Sequence, residues 1–169
     1  MAEEIVNRVA QSGIISLDLE DFYHPGERVV YDIANDLFQG LILREKDFRD
    51  HIKNNDWSIY EGKNVAIICS ADAIVPTWAY MLLSARLEPV ANRVIFGSLE
   101  ALEQALYHDV IATLDPEEFK DKRVVVKGCG DLDIPLFAYT EISRFLKPLV
   151  KSLMFGEPCS TVPIYKRKG

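Results

Sequence analysis

The sequence lacks several features that would assign it to a familiar class of protein. No apolar run approaches the roughly 20 residues that cross a bilayer, which argues against a membrane-spanning helix. The first residues are acidic where a secretory signal is basic, so we expect neither export nor a membrane partner. The chain has three cysteines in 169 residues and no C-x-x-C spacing. This pattern is not a disulfide framework, and it predicts a protein of the reducing cytoplasm.

Basic charge and common catalytic motifs are also scarce. Lys and Arg number 19 against 26 Asp and Glu, and the net charge of −7 argues against nucleic acid as a partner. The dinucleotide fingerprint, the P-loop, the G-x-S-x-G elbow and the H-E-x-x-H zinc motif do not occur. The common nucleotide-binding and hydrolase chemistries are therefore disfavoured.

What the sequence does contain is a second copy of part of itself. Residues 43–97 align without a gap on residues 102–156, a shift of 59 positions, and 15 of the 55 pairs are identical. Chance would give about three, so the spacing predicts an internal duplication. We expect one domain made of an N-terminal extension, two repeats and a C-terminal tail, at residues 1–42, 43–97, 102–156 and 157–169.

Both copies have the same order of predicted elements. An amphipathic helix precedes a β-branched strand, and a second helix closed by a proline precedes a short strand. Helices are predicted at 3–10, 45–54, 76–87, 99–110 and 135–146, and strands at 14–19, 28–31, 41–43, 64–68, 93–97, 123–126 and 152–156. This alternation predicts an α/β fold with a largely parallel or mixed sheet, flanking helices and an N-terminal hairpin or edge strands.

All three cysteines follow predicted strands. They lie in the segments Cys69-Ser70-Ala71-Asp72, Gly128-Cys129-Gly130-Asp131 and Glu157-Pro158-Cys159-Ser160-Thr161. Ligands bind at the carboxyl ends of parallel strands, which makes these segments the candidate site. The segments also supply Ser70, Ser160 and Thr161 as candidate ligand-binding residues.

Cys129 is the strongest candidate, because Gly128 and Gly130 let the backbone approach a ligand closely and form an anion-binding nest. Lys127 shares its face of the strand and could favour the thiolate, which attacks electrophiles or binds metal. Three interpretations are open: a ligand or metal site, a nucleophile whose oxyanion the flanking amides stabilise, and a buried core thiol. Cys159 lies in a polar loop and Cys69 ends an apolar run, so Cys159 is the better second metal ligand and Cys69 a possible third.

Asp72 and Asp131 are the acidic pair that the repeat keeps in a loop. They could cap the helix that follows, or serve as an acid/base pair at the site. His51 and His108 stand among charged neighbours on predicted helices, which is typical of a solvated face.

Four segments carry a resemblance to a known family: residues 41–49 (LILREKDFR), 69–79 (CSADAIVPTWA), 124–129 (VVVKGC) and 155–163 (FGEPCSTVP). Over residues 13–168 the chain resembles an uncharacterised bacterial family catalogued as domain of unknown function 2480. The resemblance implies no catalytic residue. Genes of such proteins often neighbour genes of sulfur mobilisation and iron–sulfur cluster assembly, so the resemblance favours a thiol or metal role for Cys129 and Cys159.

The leading hypothesis is a cytoplasmic accessory protein of iron–sulfur or thiol metabolism with a protein partner. It would hold a ligand, or a metal such as zinc or iron, at the strand ends. One alternative is a cysteine-nucleophile enzyme acting on a small molecule, and another is an interaction module in which the cysteines are structural.

Overall fold

The computed structural model describes residues 13–128, 130–157 and 159–169, and the predicted helix at 3–10 lies outside this part of the chain. Within it the elements run β1 (Ile14–Asp18), β2 (Arg28–Asp32), α1 (Glu45–Asn54), β3 (Asn64–Ile68), α2 (Thr77–Leu87), β4 (Arg93–Phe96), α3 (Leu99–Ala112), α4 (Pro116–Phe119), β5 (Arg123–Lys127), α5 (Leu136–Leu146), β6 (Ser152–Glu157) and β7 (Ser160–Lys166). Short 3₁₀ helices occupy Leu19–Phe22, Ile33–Asp36 and Trp57–Tyr60. The α/β class is confirmed.

The strands form two sheets, and the chain divides into two compact units. The continuous unit is His24–Leu106 and contains a three-stranded parallel sheet of order β2-β3-β4. The split unit takes the described residues up to Tyr23 and from Tyr107 onwards. Its sheet has the order β1-β5-β6-β7, in which only β7 is antiparallel.

Each unit has its own apolar core because its central strand is apolar along its length. In the continuous unit Val65 and Ile67 pack with Leu83, while Ala66 on the opposite face packs with Leu102. In the split unit the core contains residues of β5, α3 and α5, among them Val124, Val126, Tyr107 and Ile142. Such unbroken burial is typical of parallel strands covered on both faces.

The predicted strands at the N-terminus are partly confirmed. β1 and β2 are edge strands, but they do not form a hairpin, because β1 pairs with β5 and β2 with β3, both in parallel. The predicted strand at 41–43 is wrong. Positive φ angles at Gln39 (52°) and Gly40 (70°) turn the chain back, so that Ile42 makes only an isolated bridge with Phe38.

The two units share the order of elements that the repeat predicts. β3, α2 and β4 correspond at a shift of 59 residues to β5, α5 and the start of β6. Gly97 and Gly156, an identical pair, both take positive φ (140° and 118°) directly after the apolar part of their strands. A side chain at Gly156 would meet the Ser160 carbonyl at 2.6 Å. The duplication itself stays a prediction, as does the single-domain boundary scheme.

Candidate functional site

The carboxyl ends of β1, β5 and β6 carry a group of charged side chains in the split unit. Lys127 ends β5, and its Nζ lies 3.7 Å from Asp18 Oδ2 on β1 and 3.5 Å from Glu157 Oε2 on β6. The three strands are adjacent in the sheet, which explains why residues so distant in sequence meet. Lys127 therefore stands between two carboxylates. Its predicted pairing with the Cys129 thiolate stays a prediction.

A third carboxylate, that of Glu20 in the 3₁₀ helix after β1, packs against the loop that follows β5. Glu20 Oε1 accepts a hydrogen bond from the Leu132 backbone N–H at 2.9 Å. A Cβ atom at Gly130 would lie 2.1 Å from the same oxygen, so glycine is what allows the carboxylate to come this close. Asp18 Oδ1 in turn accepts from the Glu20 N–H at 3.0 Å, which caps the 3₁₀ helix that carries Glu20. The carboxyl end of β5 is thus enclosed by Asp18, Glu20 and Glu157.

Gly128 is fixed by an aromatic side chain of α5. The Tyr139 hydroxyl donates to the Gly128 carbonyl at 3.0 Å, and a Cβ at Gly128 would lie 2.2 Å from that hydroxyl. The Tyr139 ring packs edge-on against Phe155 at 5.9 Å. Glycine at 128 therefore makes room for Tyr139, which anchors the start of the loop.

In the continuous unit, hydrogen bonds join the end of β2 to the loop that follows β3, and they close the corresponding end of the sheet. Asp32, the last residue of β2, accepts from the Ser70 N–H and the Ala34 N–H, both at 3.0 Å, and from the Ser70 hydroxyl. These bonds, the Ser70 hydroxyl first, lower the pKa of Asp32 below its ordinary value. Ser70, a predicted ligand-binding residue, has its hydroxyl proton and its N–H engaged here.

Cys69 directly precedes Ser70 at this closed end of the sheet, and it is half-buried. Its Sγ donates to the Ala71 carbonyl at 3.5 Å. Tyr80 of α2, the repeat counterpart of Tyr139, lies near Cys69, and its pKa is raised first by burial and then by the charge of the thiolate form of Cys69. A role for Cys69 as third metal ligand stays a prediction.

Asp72 and Asp131 are both exposed, and neither caps a helix. The residues that precede α2 and α5 are Pro76 and Pro135, and neither helix has a side-chain cap hydrogen bond. The capping interpretation is therefore wrong, because each helix begins five positions after its aspartate rather than directly behind it. The acid/base interpretation stays a prediction.

The segment around Cys159 forms a turn rather than a loose tail. Ser160 and Thr161 begin β7 and pair with Glu157 and Gly156 of β6, and the exposed Cys159 lies in the turn between the strands. Cys129 lies outside the described residues. Among those that are described, no group of three or more His, Cys, Asp or Glu side chains is arranged to hold a metal ion.

The structure also contains a polar network that sequence reasoning missed. His51 Nε2 of α1 lies 3.1 Å from the Tyr31 hydroxyl and 3.5 Å from Asp36 Oδ1, and Tyr31 donates to Asp36 Oδ2 at 2.7 Å. Burial raises the pKa of Asp36 above its ordinary value. The His51 side chain is 37% exposed, so it is solvated as expected but also joins this network, and His108 is an exposed partner of Glu141 at 3.2 Å.

Over the described parts of the chain, no helix has the length and apolar character needed to span a membrane. No curated protein and no solved structure matches the sequence. One family model does match, over residues 3–167, and its description is "Protein of unknown function (DUF2480)". The match covers nearly the whole chain, and the protein belongs to this family.

Proposed function

We propose that the strand ends of the split unit bind a thiophilic divalent metal ion, zinc or iron, through Cys129 and Cys159. The observation that supports this most is the position of Lys127 between Asp18 and Glu157. Cys129 follows Lys127 by two residues, and Cys159 follows Glu157 by two residues. The contact between Lys127 and Glu157 thus brings together the two strand ends from which both cysteines continue.

Charge favours a metal ligand over a nucleophile. The carboxylates of Asp18, Glu20 and Glu157 outnumber the one ammonium group of Lys127 that contacts two of them. A negative surrounding disfavours a free thiolate, and it attracts a divalent cation that displaces the thiol proton. Thiolate sulfur is the ligand that zinc and iron prefer in proteins. Carboxylate oxygens of the same group can complete the coordination.

The cellular setting that we propose is cytoplasmic and accessory to iron–sulfur or thiol metabolism, with a protein partner from that metabolism. Its support is the resemblance of the chain to the family together with the cysteine pattern. Asp131, exposed beside Gly130, is in this proposal a residue that faces the incoming partner or ligand.

The test is elemental analysis of protein purified anaerobically without a metal-affinity tag. We expect near-stoichiometric zinc or iron in the wild type, and loss of that metal in Cys129→Ser and in Cys159→Ser. The matched control is Cys69→Ser, which changes a thiol of the continuous unit and should retain the metal. A wild-type protein without metal, whose Cys129 is alkylated rapidly at neutral pH, would contradict the proposal and support the nucleophile.

A further inference from the structure

The split unit contains a small cavity between its sheet and α5. The cavity has a volume of about 170 Å³. Most of its wall is apolar and comes from β5, β6 and β7, namely Val126, Leu153, Met154, Phe155 and Ile164. Ile164 is 56% exposed, so the cavity reaches the surface along β7. Among the described residues, the sheet of the continuous unit has three strands and no counterpart of β7, so this wall is particular to the split unit.

Two polar side chains, Tyr139 and Ser143, line the cavity, and both hydroxyl groups donate hydrogen bonds to backbone carbonyls of the protein. The Tyr139 hydroxyl donates to the Gly128 carbonyl at 3.0 Å, and the Ser143 hydroxyl donates to the Tyr139 carbonyl at 2.7 Å. Among the described residues that line the cavity, none carries a charge. An anionic group would therefore lose its hydration without gaining a donor or a cation, which is a large cost in an apolar site.

From this wall we infer that the cavity binds a compact, uncharged apolar group of about six carbon atoms, an aromatic ring or a branched aliphatic chain. The size follows from the volume, because an engineered apolar cavity of about 150 Å³ in another protein binds benzene. Tyr139 joins the cavity to the loop after β5, since its ring lines the cavity and its hydroxyl binds Gly128. A ligand seated here would therefore contact the side chain that fixes the start of that loop.

This inference goes beyond the proposed metal site and does not depend on it. The cavity is built by apolar residues of β5, β6 and β7, whereas the metal site would use Cys129 and Cys159. Metal content and occupancy of the cavity can consequently be measured separately on the same protein, and either proposal can fail alone.

The test is a titration of the full-length protein with benzene, followed by the methyl resonances of Val126, Leu153 and Ile164. We expect saturable shifts of these resonances with benzene and none with benzoate, whose carboxylate the cavity cannot satisfy. Ser143→Leu fills the cavity from α5 and should weaken benzene binding at least about tenfold, which corresponds to loss of a buried apolar contact. The matched control is Ser84→Leu at the repeat position of the continuous unit, which should leave binding unchanged.

The absence of saturable shifts in the wild type would overturn the inference, as would equal binding of benzoate. Equal affinity of Ser143→Leu and the wild type for benzene would overturn it as well. Should Ser143→Leu not fold, Ile164→Trp at the exposed side of the cavity provides the same comparison, with the same loss of binding expected.

Discussion

The carboxyl ends of β3 and β5 occupy matching positions in the repeat, but the side chains around them make different contacts. In the continuous unit, Asp32 accepts three hydrogen bonds from Ser70 and Ala34, and these bonds hold the loop after β3 against β2. Among the described residues of the split unit, Asp18 accepts from the Glu20 N–H and faces Lys127 at 3.7 Å. At the first end uncharged donors bind one carboxylate, whereas at the second the carboxylates of Asp18 and Glu157 share one ammonium group, with Glu20 on the adjacent loop.

The difference between the two ends lies in a few substitutions. Ile68, Cys69, Ser70 and Ala71 of the continuous unit correspond to Lys127, Gly128, Cys129 and Gly130 of the split unit. The serine that binds Asp32 is replaced by a cysteine, and two glycines admit Tyr139 and Glu20 close to the backbone. The comparison indicates that one copy keeps the strand end as a structural closure, while the other carries the candidate site.

The largest effect that we expect is from Gly128→Ala. The new Cβ would meet the Tyr139 hydroxyl at 2.2 Å, and the ring is held by Phe155, so the side chain cannot yield easily. Overpacking of this kind costs about 1–3 kcal/mol in the free energy of unfolding, which urea denaturation measures. Gly128 does not have a positive φ, so the cost should come from Tyr139 and not from backbone strain.

Two variants sharpen this prediction. Cys69→Ala, at the matching position of the continuous unit, adds no atoms and should cost less. Tyr139→Phe removes the hydroxyl, so the double variant Gly128→Ala/Tyr139→Phe should recover part of the lost stability. Additive effects of the two changes would show that Tyr139 is not the obstacle.

The next effect concerns Asp32, whose replacement opens the closed end. Asp32→Ala removes the cap of the 3₁₀ helix at Ile33–Asp36 and the bonds from Ser70, and loss of a cap costs about 1 kcal/mol. The pKa of Asp32 is lowered in the folded state, so its ionised form stabilises the protein above the pKa of the unfolded chain. This contribution is lost as the pH falls through the folded-state pKa.

Stability measured from pH 7 to pH 2 therefore should show a difference between wild type and Asp32→Ala that shrinks with falling pH. Asp18→Ala is the matched control, and it should cost less because, from the described residues, Asp18 accepts one hydrogen bond where Asp32 accepts three. A loss for Asp32→Ala that stays constant over this pH range would contradict the assigned role of its carboxylate.

The smallest effect that we expect is from Lys127→Ile, which gives the split unit the residue of the continuous unit. Removal of the ammonium leaves Asp18 and Glu157 without their cation, so the site becomes more negative. Lys127 is 27% exposed, and screening by water limits the gain in affinity for a divalent cation to about fivefold. Competition with a chelator of known affinity measures it. A nucleophilic Cys129 predicts the opposite result, slower alkylation and no gain in metal affinity.

Local sequence patterns predicted those helices and strands well whose residues strongly favour a single secondary structure. The helix predicted at 45–54 has the observed bounds of α1, and its apolar residues Phe48 and Ile52 are buried. Gly97 follows the end of β4 as predicted, whereas Gly156 lies inside β6, which continues to Glu157 because it pairs there with β7. The strand β7 was missed because Val162 and Ile164 are exposed and Pro163 lies between them, which hides the alternation of a strand.

The side chains around Cys129 could not be predicted from spacing. Lys127 meets Asp18 only because β1 pairs with β5 across more than 100 residues of chain, and that strand order does not follow from local pattern. The network of Tyr31, Asp36 and His51 joins a strand, a 3₁₀ helix and α1, with no motif among them. The available signal was Asp32, directly after the predicted strand at 28–31, because an aspartate there can accept hydrogen bonds from the turn that follows.

The most direct test of the contrast between the two strand ends is a titration of the anaerobic apoprotein with cobalt(II), read from thiolate-to-metal charge-transfer absorption. We expect this absorption to appear at one equivalent in the wild type and to persist in the double variant Asp32→Ala/Ser70→Ala, which disrupts the closed end. Cys129→Ser should abolish it. A charge-transfer band that survives Cys129→Ser, or no band in the wild type, would contradict the assignment of the metal site to the split unit.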